Sequence, residues 1–138
     1  MVSSKNKVKG FTLVELLIVI VVIAILAAIS IVAYNGITQR ARDTQRATDA
    51  GNIAKAIVNY SADNDGTWLD ASNAATKLAD WKDPEVPANV LSKIDGTLLD
   101  KDHFKVTACG SPQSGAKVEY HKEADPSHPG SITVGTGC

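Results

Sequence analysis

The chain has 138 residues, with 14 Lys plus Arg against 15 Asp plus Glu and a formal net charge of -1 at pH 7. This length allows one modest domain and excludes a large enzyme core. The near-zero net charge lacks the basic footprint of a nucleic-acid-binding surface. The composition therefore favours a small protein whose main partners are not nucleic acids.

The apolar residues are concentrated near the start of the chain. Residues 16–29 are fourteen consecutive apolar residues, and in the wider segment 11–34 only Thr12, Glu15 and Ser30 are polar. A helix of that wider segment measures roughly 36 Å, against about 30 Å for the hydrocarbon core of a bilayer. The segment is therefore long enough to span a membrane.

A basic leader, residues 1–10, precedes this segment, and a polar helical stretch, residues 35–62, follows it. The first proline is Pro84, so no proline interrupts a helix from about residue 11 to about residue 62. Within the second stretch, apolar side chains recur at steps of three and four residues, which places them on one helix face. The face predicted to carry the head domain comprises Ala50, Ile53, Ala54, Ile57 and Tyr60.

Residues 63–138 have the composition of a small, loop-rich head. After a turn at residues 63–66, we predict a short helix that is capped by Ser72, runs to about Trp81 and is followed by a break at Pro84 and Pro87. Alternation of apolar and polar residues then predicts three short antiparallel strands, with residues 97–100 as a candidate fourth. These three strands centre on Phe104, Val106 and Ala108, on Val118 and Tyr120, and on Ile132 and Val134. The predicted fold class is α+β, one long helix with a small sheet.

The head contains both cysteines of the chain, Cys109 and Cys138. Only 5% of all residues are aromatic, so the head has few large side chains for a core, and small extracytoplasmic domains often compensate with a disulfide. We therefore predict a bond between Cys109 and Cys138 and an oxidising compartment. Two free thiols are the alternative.

The segment at residues 9–29 reads KGFTLVELLIVIVVIAILAAI. It combines a basic leader, a Gly-Phe junction and a lone glutamate five residues into an apolar run. This combination resembles the N-terminus of the type IV pilin family, which includes the pseudopilins of type II secretion. The resemblance is close over about the first 35 residues and extends to the rest in general plan, and it implies a pilin-like fold.

The resemblance also implies processing by prepilin peptidase, a membrane enzyme that cleaves after Gly10 and N-methylates Phe11. Cleavage gives Phe11 a free α-amine, which is cationic near neutral pH. An ionised side chain within hydrocarbon is unfavourable by roughly 3 kcal/mol on insertion scales, so Glu15 needs a partner. In the family this glutamate engages the new amine of a neighbouring subunit. Burial of Glu15 then depends on assembly, and the ion pair sets the register of the subunits.

Other interpretations of these residues stay open. A secretory signal peptide shares the basic Lys5, Lys7 and Lys9, but its apolar region is shorter and its A-x-A cleavage pattern is missing here. A plain single-pass anchor explains the length of the segment and leaves Glu15 unexplained. The charges that follow the segment are interpreted either as a solvated face or as ion pairs between subunits. They are Arg40, Arg42, Asp43, Arg46 and Asp49.

The sequence carries no pattern for a metal or a cofactor, and we expect neither. Asp63, Asp65 and Asp70 do not follow the spacing of a calcium-binding loop, and the turn chemistry of Asn-Asp-Gly explains them. The chain contains no ATP-binding loop, metal-binding helix or nucleophile elbow, so we expect no enzymatic activity. The histidines are expected at the solvated surface, at positions His103, His121 and His128.

The expected function is that of a structural subunit of a type IV pilus, an extracellular filament for adhesion, motility or DNA uptake. A pseudopilin of a type II secretion system and a minor pilin that acts as a ligand-binding module are the alternatives. Residues 63–138 hold 7 Lys and no Arg against 12 Asp plus Glu, which argues against DNA recognition by the head. The resemblance implies four partners: other copies of the chain, prepilin peptidase, the lipid bilayer before assembly, and an assembly platform with cytoplasmic ATPases. The expected location is the cytoplasmic membrane with the N-terminus in the cytoplasm, followed by the extracellular filament.

Overall fold

A computed structural model describes residues 8–81, 86–97 and 99–138. Within these ranges the elements are α1 (Leu13–Asp63), α2 (Ala74–Asp80), α3 (Ala88–Leu91), β1 (Ile94–Asp95), β2 (Phe104–Cys109), β3 (Gly115–Tyr120) and β4 (Gly130–Gly135). The predicted α+β class and the single long N-terminal helix are confirmed. The leader residues Lys5 and Lys7 and the predicted break at Pro84 lie outside the described residues.

α1 is one continuous helix of 51 residues, close to the predicted range of 11–62. It ends in a left-handed turn, in which Asp65 has a φ of 54° and Gly66 a φ of 78°. The Gly66 amide donates to the Ser61 carbonyl at 2.8 Å. This bond satisfies a carbonyl of the last helical turn, and glycine adopts the positive φ without strain.

The sheet belongs to the compact unit Thr38–Cys138, which also contains the C-terminal half of α1. Its strand order is β1-β2-β3-β4. β2 pairs antiparallel with β3, which sets Val106 opposite Val118, and β3 pairs antiparallel with β4, which sets Val118 opposite Ile132. The three antiparallel strands predicted from alternation are therefore confirmed.

The fourth strand differs from the predicted one at residues 97–100. β1 consists of Ile94 and Asp95 and pairs in parallel with β2, and none of the described residues of 97–100 is in a strand. Asp95 Oδ1 accepts the Thr97 amide at 2.8 Å and the Thr97 hydroxyl at 3.1 Å. These bonds turn the chain directly after β1, because an aspartate side chain competes with the sheet for nearby donors.

The start of α2 also differs from its prediction, which made Ser72 the cap. Ser72 lies in a turn before the helix, and Asn73 is the N-cap residue. The Ser72 hydroxyl donates to Asp70 Oδ1 at 2.6 Å, and Asn73 Oδ1 accepts the Asp70 amide at 3.0 Å. The Ser72 side chain therefore organises the turn around Asp70 and is not available to the helix amides.

The hydrophobic core combines side chains of α1 with side chains of the strands and short helices. Ile53 and Ile57 are fully buried in it, along with a valine from each of the two central strands. Tyr60 packs against the margin of the core, with its ring edge-on to that of Trp81 at a centroid distance of 6.0 Å. The structure thus places this face of α1 inside the head.

Replacing Ile57 with alanine is expected to lower the free energy of unfolding by about 2–5 kcal/mol, because the change leaves a cavity in a fully buried site. The measurement is urea unfolding of the full chain in detergent micelles, followed by tryptophan fluorescence. Val58→Ala is the matched control, since the adjacent Val58 is 38% exposed and its truncation costs under about 1 kcal/mol. Equal losses for the two variants would contradict the packing described here.

Candidate functional site

The N-terminal half of α1 presents an uncovered apolar surface. Its large apolar side chains from Leu13 to Ile37 are all exposed, with Leu26 at 58% and Ile29 at 63%. α1 is the one helix among the described residues that is long and apolar enough to cross a membrane. Such a surface is far larger than the apolar patches of soluble monomers, so it requires lipid or protein around it.

Glu15 is the only charged residue in residues 11–34, and it lies in the first turn of α1. Its Oε2 atom accepts the Thr12 amide at 2.9 Å, and its own amide donates to Thr12 Oγ1 at 3.2 Å. These two bonds form a capping box, in which a threonine and a glutamate three residues apart satisfy each other's amides. The carboxylate therefore has a hydrogen-bond partner within its own chain.

Sequence reasoning assigned Glu15 a partner on a neighbouring subunit and missed this local contact with Thr12. The signal was present in the Thr-x-x-Glu spacing, which marks the start of many helices. The α1 macrodipole adds to the contact, because its positive end favours a carboxylate in the first turn. The start of α1 is therefore a preferred place for this acid even in a single chain.

Gly10 and Phe11 lie in exposed, non-helical backbone just before α1. Among the described residues, no atom outside the immediate neighbours lies within 4 Å of the position that a Cβ on Gly10 would occupy. The predicted cleavage junction is therefore close to the capped glutamate and open to another protein. We call Gly10, Phe11, Thr12 and Glu15 the N-terminal site.

A second group of charged side chains fastens the loop after β3 to α1. Glu123 accepts hydrogen bonds from Arg42 Nη2 at 2.6 Å and from Arg46 Nη2 at 2.7 Å. Asp43 accepts the amides of Glu123 and Ala124 at 2.8 Å and 3.0 Å, and its Oδ1 also lies 3.1 Å from Arg46 Nη1. We call Arg42, Asp43, Arg46 and Glu123 the arginine cluster.

The electrostatics of the arginine cluster favour its charged forms. Hydrogen bonds from Arg42 and Arg46 lower the pKa of Glu123 from 4.5 to about 2. Partial burial opposes a charge on Asp43, but the amides of Glu123 and Ala124 and the nearby Arg46 hold its pKa below the ordinary value of 3.8. The charges are paired within one chain, which differs from both interpretations made from the sequence.

The other two charges of that helical stretch stand outside the arginine cluster. Arg40 is exposed, and Asp49 Oδ1 accepts a hydrogen bond from Gln45 Nε2 at 3.0 Å. Sequence reasoning missed Glu123 altogether, because 81 residues separate it from Arg42 and no local spacing connects the two. Only the packing of the sheet against the helix brings them together.

The arginine cluster predicts a pH dependence of stability. Because the pKa of Glu123 is lowered on folding, its contribution is present above about pH 4.5 and is lost as the pH falls towards 2. Glu123→Gln is therefore expected to lower the urea midpoint at pH 7 and to flatten its decline between pH 5 and about pH 2. Glu119→Gln is the matched control, since Glu119 pairs with Lys117 outside the cluster. An unchanged pH profile in Glu123→Gln would contradict the assignment.

Cys109 and Cys138 form a disulfide, as predicted. Their Cα atoms are 5.1 Å apart, and 29 positions separate them in the chain. The bond ties residue 138 to the end of β2. A closed loop of this length contributes roughly 3–4 kcal/mol in the chain-entropy model, which is a large share of the stability of a small head.

Two of the histidines lie beside aspartates, and the third, His121, is half-buried. His103 Nδ1 lies 2.8 Å from Asp100 Oδ1, and His128 Nδ1 lies 3.0 Å from Asp125 Oδ2. His128 is exposed and His103 only partly so. Within residues 8–81, 86–97 and 99–138, no group of three or more histidine, cysteine, aspartate or glutamate side chains is arranged to hold a metal ion.

Comparison with known proteins connects this arrangement to a family. Residues 5–31 match the family model described as the prokaryotic N-terminal methylation motif. The chain is 38% identical over 114 residues to a fimbrial protein of Dichelobacter nodosus, a match that covers 83% of this chain and 66% of the relative. It is 35% identical over 115 residues to the type IV major fimbrial protein FimA of the same organism, covering 83% of this chain and 67% of FimA.

A third relative is the fimbrial protein EcpC of Eikenella corrodens, which is 40% identical over 75 residues, 54% of this chain and 48% of EcpC. No solved structure gives a significant match. The fold and the N-terminal site define a class of protein. Its members are α+β proteins with a long first helix, and the exposed apolar half of that helix is long enough to span a membrane. The chain belongs to the type IV pilin family. It spans between about half and two thirds of the length of these relatives.

Proposed function

We propose that the protein is a structural subunit of a type IV pilus, an extracellular filament assembled from many copies of this chain. The observation that carries the proposal is the exposed apolar half of α1, from Leu13 to Ile37, with one acid at its start. A surface of this kind is stable in a bilayer and in a bundle of similar helices, but not in water. The relatives are named as fimbrial proteins, which favours a pilus over a secretion pseudopilus.

The first stage of this life cycle is a single-pass protein in the cytoplasmic membrane, with its N-terminus in the cytoplasm. The balance of basic residues does not set this orientation, because three lysines precede the apolar segment and three arginines follow it. The disulfide between Cys109 and Cys138 supports it, since such bonds persist outside the reducing cytoplasm. The head therefore faces outward before assembly.

Prepilin peptidase then removes residues 1–10 and N-methylates Phe11. Gly10 suits this step, because a residue without a Cβ lets the extended backbone approach a protease closely, and the junction is exposed. Cleavage converts the Phe11 amide into an amine, and methylation keeps its positive charge. The N-terminal site then contains one cation and one anion in each subunit.

Assembly pairs the Glu15 carboxylate with the Phe11 amine of a neighbouring subunit. The ion pair neutralises the one acid in an apolar surface at the moment when that surface is buried against other copies. Desolvation offsets much of the attraction, so the pair determines register more than it adds net stability. An assembly platform and cytoplasmic ATPases supply the work of extraction from the membrane, since the sequence contains no nucleotide-binding loop.

Processing is tested by mass spectrometry of the purified filaments. The expected polypeptide begins at methylated Phe11 and carries the intact Cys109–Cys138 bond. Gly10→Val is the matched variant, because a β-branched side chain at the junction obstructs the peptidase, and it is expected to leave a full-length chain in the membrane fraction. Filaments whose subunits begin at Met1, or at a residue beyond Tyr34, would contradict the proposed function.

The ion pair is tested by Glu15→Gln. This change keeps the acceptor for the Thr12 amide, since glutamine also completes a capping box, but it removes the charge that attracts the amine. We expect normal insertion and cleavage, with the filament yield reduced about tenfold or more, as for loss of a charge-assisted contact of about 1.5–3 kcal/mol. Glu119→Gln, a loss of the same charge in the head, is expected to preserve the yield. Normal filaments from Glu15→Gln would exclude the pairing.

A further inference from the structure

β4 is the last strand of the sheet, and no strand among the described residues pairs with its outer side. The Thr136 amide donates to the Ser114 carbonyl at 3.0 Å, which continues the register of the β3–β4 pairing. Backbone hydrogen bonds of an antiparallel pair involve alternate residues of each strand. The backbone groups of Ile132 and Val134 therefore face β3. The residues whose N–H and C=O groups face outwards are Ser131, Thr133 and Gly135.

The β4 edge lacks the features that usually prevent pairing with another chain. Proteins protect exposed edges with very short strands, charged side chains or proline within the strand. β1, at the opposite end of the sheet, has only two residues and includes Asp95. β4 has six residues, and residues 129–138 contain no charged side chain. An unprotected edge of this length is a template for an additional strand.

An apolar groove lies beside the β4 edge, on the side of the sheet that faces α1. Ile132 and Val134 line it from β4 and are half-buried, and Ile132 Cδ1 lies 3.7 Å from the position that a Cβ on Gly51 would occupy. The groove has a volume of about 360 Å³. Side chains alternate between the two faces of a strand, so a strand added to β4 places every second side chain over the groove. The α1 residues that line it are Gly51, Ala54, Lys55, Val58 and Asn59.

We propose that the β4 edge pairs with the β4 edge of a second copy of this chain, which joins two four-stranded sheets into one. The pairing is antiparallel and centred on Thr133, which lies opposite Thr133 of the second copy. In this register Ser131 lies opposite Gly135, so the outward-facing amides and carbonyls of both copies meet their counterparts. Ile132 lies opposite Val134 on the α1-facing side, where each such pair extends the apolar surface of both grooves.

The β4 sequence favours a second copy over an unrelated strand. Its outward-facing residues are spaced evenly around Thr133, so the edge is complementary to itself in the antiparallel direction. No charged side chain of residues 129–138 opposes the approach of an identical edge, and opposed threonines form a favourable cross-strand pair. A contact between identical surfaces closes with two copies. It therefore joins heads in pairs, goes beyond the proposed assembly through α1 and does not rest on it.

The experiment changes the charge at residue 133. Thr133→Lys and Thr133→Glu each place like charges opposite one another in the pair, whereas a mixture of the two variants places opposite charges there. Thr133 is exposed, and an unchanged urea midpoint checks that the head is still folded. Thr107→Glu is the matched control, because Thr107 is also an exposed strand residue but lies on β2, opposite Lys117. Sedimentation equilibrium of the full chain in detergent micelles gives the dimer dissociation constant.

We expect the unaltered chain and Thr107→Glu to dimerise with equal affinity. Each residue-133 variant alone is expected to raise the dissociation constant about tenfold or more, because like charges opposed at an interface disfavour association. The equimolar mixture is expected to regain the affinity of the unaltered chain.

A monomeric unaltered chain would overturn the inference. So would undiminished dimerisation of Thr133→Lys, which would place the contact elsewhere, for example in the apolar half of α1. A mixture that stays monomeric would also overturn it, because residue 133 would then not face itself and the edge would be a site for a different strand.

Discussion

The exposed apolar half of α1 is the feature on which the other properties of the protein depend. From Leu13 to Ile37 the large apolar side chains are all exposed. Transfer of such a surface from water is favourable by roughly 25 cal/mol per Å² of apolar area, so it stays in hydrocarbon or against similar helices. Such a surface is therefore covered by lipid or by other apolar helices.

Two glutamates show how the same chemical group is made compatible with different surroundings. Glu123 lies at a water-accessible surface, where two arginines stabilise its charge and lower its pKa to about 2. Glu15 lies in the apolar part of α1, and the backbone amide of Thr12 donates a hydrogen bond to it. The first acid is fully satisfied within its chain and fastens a loop. The second is held by a local hydrogen bond at the start of α1.

The head is stabilised by several small contributions in place of one large core. Its buried residues are mostly small aliphatic side chains, of which Ile53, Ile57 and Leu69 are among the largest. The disulfide closes its C-terminal end, and the arginine cluster ties the loop after β3 to α1. Both devices connect parts of the chain that lie far apart in sequence. A small domain with few aromatic residues depends on such connections, because its buried area alone contributes little net stability.

The sequence by itself determined the features that depend on local pattern. These include the apolar helix, the face of Ile53 and Ile57, and the three antiparallel strands, because periodicity reports directly on which side chains share a face. The disulfide was also predictable, since the chain has only two cysteines. The Thr12–Glu15 capping box is equally local, but the sequence interpretation missed it, because it assigned the charge of Glu15 a partner on another chain.

Only the tertiary structure decided the features that depend on competition or on distant contacts. The short parallel strand at Ile94 could not be predicted locally, because it forms by pairing with β2. The Asp95 side chain turns the chain directly after it, so the strand predicted at residues 97–100 does not form. Glu123 bonds to Arg42 and Arg46 from 81 and 77 positions away, a contact that no local spacing predicts. Side-chain pairing across such separations depends on how the whole chain packs. No local stretch of residues determines the free energy that selects this pairing.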